Sequence, residues 1–433
     1  MRHKICVLGL GYMGLPMAAL LATHGHFVVG VDINRRKVEL LTRGELTFDE
    51  PGLEDLVRRA TAGGTLRFSP TIEPAEAFII AVPTPLVEGA KRSELRYVVL
   101  AAGSVASVLK RGDLVVLEST VPPQTTRKVV IPILETSGLE AGADFLVAHC
   151  PERAIPGRTL HELVHNDRVI GAIDDRSAEE TVRLYGSFVR GAMHVTDTTT
   201  AEMVKLMENT SRDINIAMAN EFAKIAEEVG VNVWEAIDLA NHHVRVNILK
   251  PGPGVGGHCI AVDPWFLTEN SIQGQIIKTA REINDSMPGH VVAHAERLLK
   301  GIPDPVVAVL GYAYKANVGD TRETPAARVV RLARDRGWLV RVHDPLVRDA
   351  CEVTLVDRVE ECIEGSDCVL LLTDHDAYRA LQPARLRPLV RTPNLIDTRN
   401  LLDHPAWEEA GFTVVLLGGG RRLPLRRAPV QVP

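Results

Sequence analysis

The 433-residue chain has no uncharged apolar stretch long enough to cross a membrane, which argues against an integral membrane protein. It has no basic excess: at a formal charge of −6, no overall field points to nucleic acid. It has no Cys-x-x-Cys pair. Its six cysteines, at 6, 150, 259, 351, 362 and 368, are scattered along a chain far too long for a disulfide scaffold, and they read as reduced thiols of a cytoplasmic protein. It shows no short-period repeat, which sets solenoids aside. The apolar run in MRHKICVLGLGYMG is broken by glycines and followed by helix-like sequence, so it is neither a signal peptide nor a membrane span.

What is present is an alternation of strands and helices. KICVLGL reads as a buried strand and GLPMAALLATHG as a helix; HFVVGVDI and RRKVELLTRG repeat the pattern. Such a βαβα series predicts a parallel sheet with helices on both faces. Further strands are expected over 77–85, 113–120, 144–152, 168–173 and 192–197. From residue 199 the chain lacks Gly and Pro up to Gly230, which predicts a long helix, followed by another over VNVWEAIDLAN. Helical character continues through QGQIIKTAREINDSM. After GIPDP (301–305) a second series begins, with strands VVAVLGYAY, WLVRVHDP, SDCVLLLTDH and NLIDTRN and the helix TPAARVVRLARDRG. The expected fold is α/β: two Rossmann-like, doubly wound parallel-sheet domains joined by a helical central region with a long helix. The expected boundaries are 1–198, 199–300 and 301–418, with a loose Gly/Pro/Arg tail over 419–433.

Gly9-Leu10-Gly11-Tyr12-Met13-Gly14 follows a strand, opens a helix and is trailed by Asp32 at the end of the next strand. That context is the dinucleotide fingerprint. Gly9 would make the tight turn, Gly11 would admit a pyrophosphate against the backbone, and Gly14 would let helix and strand pack closely. Asp32 would hydrogen-bond both ribose hydroxyls and repel a 2′-phosphate, so NAD is expected over NADP, against the pull of Arg35 and Arg36 nearby. The same fold without a cofactor is the alternative. Thr84 in AVPTP and Thr120 in ESTVPP end two later strands; their hydroxyls suit a bound cofactor or an ordinary loop.

Glu152 in CPERAIPG stands at another strand end, as a base or as the cap of a turn. Lys205 and Asn209, four apart, share one helical face. Together they suit an oxyanion, or they are a surface lysine and an amide. In GPGVGGHCIAVDPW, Cys259 sits behind a glycine-rich turn with Asp263 four residues later. The thiol can be a nucleophile, a metal ligand, half of a disulfide or a small core residue. Glycines suit backbone that comes close to something. No second ligand pair at zinc spacing accompanies His258 and Cys259, so no metal is expected. GYAYKANVGDTRETPA is like a strand-to-helix phosphate loop with Lys315 and Arg322 as its cations, and IDTRN ends a strand of the same domain with Arg399. These suit an anionic ligand; separately, each is also readable as a surface cation.

Taken together, VLGLGYMGLPMA, GVDIN, AVPTP, ESTVPP, HCPERAIPG, AEMVKLMENTSRDINIAMANE, RVNILKPGPGVGGHCIAVDPWF and DTRETPA resemble the nucleotide-sugar 6-dehydrogenases, the UDP-glucose/GDP-mannose dehydrogenase family, over nearly the whole chain and in order. CPERAIPG, NDRVIG and the cysteine block are most similar to its UDP-N-acetyl-D-mannosamine branch. The resemblance implies NAD-dependent, four-electron oxidation of a UDP-sugar C6 alcohol to the carboxylate, through a cysteine thiohemiacetal and thioester, in polysaccharide biosynthesis. UDP-N-acetyl-D-mannosamine is the implied substrate, with UDP-GlcNAc or UDP-glucose as alternatives.

It also implies roles. Cys259 would be the nucleophile, Lys205 and Asn209 the oxyanion stabilisers, and Asp263 and Glu152, with Thr120, the managers of water and protons. Tyr12 and Met13 would join the fingerprint glycines, Asp32, Thr84 and Thr120 around NAD. Glu152, Arg153, Lys205, Asn209, Arg245, Asn247, Lys250, Gly256, Lys315 and Arg399 would contact the UDP-sugar. The glycines before Cys259 would make room for a sugar carbon to reach sulfur and nicotinamide together. Arg245 would reach a neighbouring subunit's substrate, implying a homodimer. The chain departs from the family pattern at Gln124, usually Gly, at Tyr314, commonly Phe, and at Val244, usually Pro. Two remoter alternatives are a two-electron hydroxyacid dehydrogenase, which would not need Cys259, and a non-enzymatic NAD-sensing protein.

Overall fold

The computed structural model describes residues 3–420 apart from Asp49, Glu88, Pro156, Asp349 and Cys351. Most of the expected tail, and Cys351, therefore lie outside the described residues. The chain divides into two compact units: residues up to 209 with 265–273, and residues 210–264 with those from 274 onward.

The first unit is built on an eight-stranded sheet. Its strands are β1 (Lys4–Leu8), β2 (Phe27–Val31), β3 (Leu66–Ser69), β4 (Ala77–Ile80), β5 (Leu114–Leu117), β6 (Leu146–His149), β7 (Arg168–Ala172) and β8 (Met193–Asp197). The order across the sheet is β3-β2-β1-β4-β5-β6-β7-β8. β4, β5 and β6 are buried along their whole length. Helices cover both faces, so these strands read as unbroken apolar runs. Chain order reverses between β1 and β4, and in such sheets that is where a crevice opens at the carboxyl ends. β1 to β6 are parallel, but β7 pairs antiparallel with β6, through Ala148–Ala172 and His149–Gly171, and β8 runs parallel to β7. The expected parallel sheet is present over β1 to β6, and the antiparallel β6/β7 pair adds an edge that an apolar run does not record. β3, with only four residues and an exposed Arg67, was too short and too polar to register as a strand.

β8 passes into the helix Thr198–Val229 with no intervening residue. Asp197 caps the junction: its carboxylate accepts from the Thr199 N–H at 2.9 Å, the Thr200 N–H at 3.1 Å and the Thr200 hydroxyl at 2.5 Å. The first turn lies close against β7. A Cβ on Gly171 would come within 2.6 Å of the Ala201 methyl and 2.7 Å of the Asp197 carbonyl oxygen.

The second unit carries a five-stranded, all-parallel sheet: β9 (Val306–Leu310), β10 (Leu339–His343), β11 (Cys368–Leu371), β12 (Asn394–Asp397) and β13 (Thr413–Leu416), in the order β10-β9-β11-β12-β13. β13 was also missed in the sequence. The helix Gln275–Leu298 continues straight through the buried Pro288, eleven residues beyond the expected stretch. The helix Pro325–Asp335 starts where predicted, with the Thr324 hydroxyl accepting from the Ala326 N–H. Among the described residues no helix is long and apolar enough to cross a membrane. The five described cysteines form no disulfide with one another.

Candidate active site

At the β1/β4 switch point the three glycines divide their tasks. Gly9 has φ +94°, and a Cβ there would lie 2.5 Å from the Ala81 carbonyl oxygen just past β4. A Cβ on Gly14 would collide with the Gly9 carbonyl. At Gly11 a Cβ would meet nothing within 4 Å, so the bare backbone faces open space. That is the cradle a dinucleotide pyrophosphate needs at a helix N-terminus. Asp32 is 9% exposed and takes the Leu10 N–H at 3.1 Å on Oδ2 and the Asn34 N–H at 3.0 Å on Oδ1. The cation beside it is Lys37, whose Nζ donates to Oδ2 at 2.8 Å. Arg35 and Arg36, the neighbours weighed from sequence, are exposed. The Asn34 cap starts the helix Arg35–Thr42 and turns residue 37, not 35 or 36, toward the carboxylate. Tyr12 stacks on Phe48 with ring centroids 4.3 Å apart. Met13 stands at the N-cap of the first helix.

The loops after β4 and β5 are tied together. Thr84 is buried, and its hydroxyl donates to the Thr120 carbonyl at 2.7 Å; the Ser119 hydroxyl donates to the Val82 carbonyl at 2.7 Å. Gln124 has φ +76°, the conformation in which glycine is the ordinary residue, so the glutamine that departs from the family pattern here sits in a strained turn. The same turn is gripped by Glu202 of the long helix. That carboxylate is 1% exposed and accepts from the Gln124 N–H and from the Thr126 N–H at 2.7 Å and hydroxyl at 2.6 Å. Two turns on, Glu208 pairs with the Arg153 guanidinium at 3.0 Å, which also donates to the Asp167 carbonyl at 2.9 Å. Arg153 thus has its charge matched within the unit. Lys205 lies between the two grips, with Asn209 just beyond. They are 8% and 6% exposed, so the surface-lysine reading fails. Glu152 caps its own turn: both carboxylate oxygens accept from the Ala154 N–H at 2.9 Å.

Directly before Ser119-Thr120 and before Pro151-Glu152 lies a group the sequence reading missed. Glu118 accepts from the Tyr185 hydroxyl at 2.8 Å and sits 3.5 Å from the Arg168 guanidinium. All three are buried. Burial pushes the Glu118 carboxyl up to about 7, against the pull of the Arg168 charge. Burial also pushes the Cys150 thiol up to about 11. The available signal was a charged residue at the edge of each apolar run, in VVLEST and NDRVIG.

In the second unit, the Cys259 carbonyl accepts from the Val262 N–H at 3.1 Å and the Asp263 N–H at 2.8 Å, and Asp263 opens the helix Asp263–Thr268. Cys259 is exposed; the other four described cysteines are buried. Burial raises their thiols, to about 11 at Cys6 and about 12 at Cys362. The core reading of Cys259 therefore fails. Protein fills the positions that side chains would take at the nearby glycines. A Cβ on Gly256 would lie 2.6 Å from the Tyr314 Cβ and 2.7 Å from the Glu323 carbonyl oxygen. One on Gly254 would touch the Pro325 Cβ at 3.0 Å, and one on Gly257 would meet the Tyr314 ring at 2.9 Å.

Arg399 follows β12. Its Nε donates to Asp374 at 3.0 Å, and its guanidinium lies against Gly252. It lines a cleft with Gly254, Tyr314, Pro325 and Thr373, at the carboxyl ends of β9, β11 and β12. Lys315 is exposed on the loop after β9, whereas Arg322 is matched locally by Asp320, at 2.9 and 2.6 Å. Arg245, Asn247 and Lys250 are exposed on an irregular segment.

Comparison with known proteins agrees with this arrangement. Residues 3–189 match the NAD binding domain, 199–286 the central domain and 308–404 the UDP binding domain of the UDP-glucose/GDP-mannose dehydrogenase family. The chain is 49% identical over 425 residues to the UDP-N-acetyl-D-mannosamine dehydrogenase of Methanococcus maripaludis, covering 96% of this chain and 97% of that one. It is 45% identical over 411 residues to the NDP-N-acetyl-D-galactosaminuronic acid dehydrogenase of Ralstonia solanacearum, covering 92% and 96%. The solved UDP-D-ManNAc dehydrogenase of Pyrococcus horikoshii superposes with a TM-score of 0.90 at 41% identity, over 96% of this chain and 99% of that one. With a cofactor cradle at one switch point and a cation-bearing cleft on a second parallel sheet, the chain belongs to the UDP-glucose/GDP-mannose dehydrogenase family of NAD-dependent UDP-sugar dehydrogenases.

Proposed function

We propose that the enzyme oxidises the C6 alcohol of UDP-N-acetyl-D-mannosamine to the carboxylate, reducing two NAD per sugar. The observation that carries the reading is Cys259: it is the exposed thiol among the described cysteines, four residues from the buried Asp263. The names of the relatives favour an N-acetylated hexosamine over glucose.

NAD, held by the Gly9–Gly14 turn and Asp32, supplies the hydride acceptor for each oxidation. In the first, the C6 hydroxyl loses its proton to water, and the Lys205 ammonium, with the Asn209 amide, stabilises the developing alkoxide. The Cys259 thiolate then adds to the aldehyde carbon to give a thiohemiacetal, which holds the reactive intermediate covalently. Loss of the second hydride leaves a thioester. Water, deprotonated by Glu152 or Asp263, displaces the thiolate and releases the carboxylate. Lys315 and Arg399 offer positive charge to the UDP diphosphate. Arg245 reaches the substrate of a second copy; the exposed segment around it, with Val244 91% exposed, supports a homodimer.

The test is product stoichiometry with UDP-N-acetyl-D-mannosamine, UDP-GlcNAc and UDP-glucose. Two NADH per sugar and highest kcat/KM on the first are expected. One NADH per sugar, or uronate formed at the wild-type rate by Cys259→Ser, would refute the cysteine pathway. Lys205→Ala should lower kcat far more than it raises KM.

A further inference from the structure

We infer that the second unit carries a site for a zinc-class divalent cation, formed by Glu227 of the long helix and by His290 and His294 on Gln275–Leu298. The His290 Nε2 lies 2.9 Å from Glu227 Oε2, the His294 Nε2 lies 3.1 Å from both carboxylate oxygens, and the two Nε2 atoms are 3.3 Å apart. Tetrahedral zinc with bonds of about 2.0–2.1 Å separates its ligand atoms by roughly 3.3 Å, so these three atoms already approximate one face of a tetrahedron. Two histidines at i and i+4 project from one face of a helix, the spacing that helical zinc sites use. Two imidazoles and a carboxylate make a three-ligand set suited to zinc, with water for the fourth position.

Two further observations point to a cation. The Glu227 carboxylate is itself oriented: its Oε1 accepts from the Gly418 N–H at 2.8 Å, the outer support that metal-binding carboxylates require. The second observation is the convergence of three ligand atoms on one point. An Arg297 guanidinium nitrogen lies 2.6 Å from His294 Nδ1, and a guanidinium only donates, so the proton of neutral His294 is on Nε2. That N–H then faces the Nε2 of His290 across 3.3 Å, with both rings turned to one carboxylate. A divalent ion in their midst takes all three lone pairs at once. His294 then carries its proton on Nδ1, and the exposed Arg297 swings into solvent. Bound there, the ion would clamp the long helix, the second helix and the residues following β13 to one another. The expectation of no metal rested on His258 and Cys259; the pair that matters is His290 and His294, whose four-residue spacing reads as a ligand pair only once the helix is known to continue past Pro288.

The test uses full-length protein stripped with EDTA and titrated with zinc chloride by calorimetry and with cobalt(II) by visible absorption. One equivalent per chain is expected, with tetrahedral cobalt bands and a Tm raised by zinc. His290→Ala/His294→Ala and Glu227→Gln should lose that equivalent, and Arg297→Gln should tighten it severalfold by removing the competing donor. Absence of a stoichiometric equivalent in the wild type, or binding unchanged in the double variant, would overturn the site. If the double variant does not fold, His290→Gln and Arg297→Gln decide: retained binding in the first, or unchanged or weaker binding in the second, overturns it.

Discussion

Gly256→Ala should cost the enzyme its rate while leaving cofactor binding untouched. The added methyl would sit 2.6 Å from the Tyr314 Cβ, 2.7 Å from the Glu323 carbonyl oxygen and 2.9 Å from the Pro325 Cδ. Carbon atoms rest comfortably at about 3.5–4.0 Å, so something must move by roughly 1 Å. Neither a Cβ nor a backbone oxygen can swing aside, and the Tyr314 N–H is itself bonded to the Asp320 carbonyl at 3.1 Å. The displacement therefore falls on the segment leading to Cys259, three residues on. Overpacking of this kind costs about 1–3 kcal/mol of stability. A reacting group misplaced by about 1 Å can cost about 100-fold in rate. The expected result is a kcat lowered by about 100-fold, a urea midpoint lowered modestly and an unchanged NAD affinity, because the cofactor turn belongs to the other unit. Steady-state NADH formation, urea melts and NAD fluorescence titration check the three quantities. Wild-type kcat and wild-type stability together would refute the packing argument.

Gly11→Ala should do the opposite: nothing lies within 4 Å of its Cβ position, so the melting temperature should hold while NAD affinity falls by at least about tenfold through a blocked pyrophosphate. Gln124→Gly should stabilise the protein by about 0.5–1 kcal/mol, the relief of a left-handed glutamine (about 1–2 kcal/mol) less the added freedom of glycine in the unfolded chain. A lowered urea midpoint would contradict it. Glu118, held up at about 7 against an ordinary 4.5, binds a proton in the folded state that the unfolded chain releases, so its contribution is present below about pH 4.5 and lost as pH rises through about 7. Glu118→Gln should flatten that part of the stability profile, and urea midpoints that keep the wild-type slope between those pH values would show that another group sets it.

The parts of this molecule legible in sequence are those whose physical requirement is local. A phosphate-binding turn needs glycines at fixed offsets, so Gly9, Gly11 and Gly14 announced it, and the absence of Gly and Pro announced the long helix. Lys205 and Asn209 were legible as a pair but not as buried, since burial depends on what covers the helix. Relations between distant segments left little trace. The Glu118–Arg168 pair joins residues fifty positions apart, Lys37 reaches Asp32 only through the start of its helix, and β7 reverses with no change in its apolar pattern. The glycines before Cys259 were legible as a need for space, but Tyr314, Glu323 and Pro325 as the atoms packed against them were not.

The direct passage from β8 into the helix that carries Lys205 makes the protein unforgiving of changes in length at one point. Loops elsewhere absorb an inserted residue by bulging. Here a strand fixed in its ladder feeds a helix capped by Asp197 and pressed onto Gly171. One residue added after Asp197 would rotate everything downstream by about 100° and advance it by about 1.5 Å. Glu202 would leave its turn, Glu208 its arginine, and Lys205 and Asn209 would face elsewhere, with no side chain altered. Homologues should therefore vary in length almost anywhere before they vary at this joint, and a single-residue insertion there should silence the enzyme more thoroughly than most substitutions in its site.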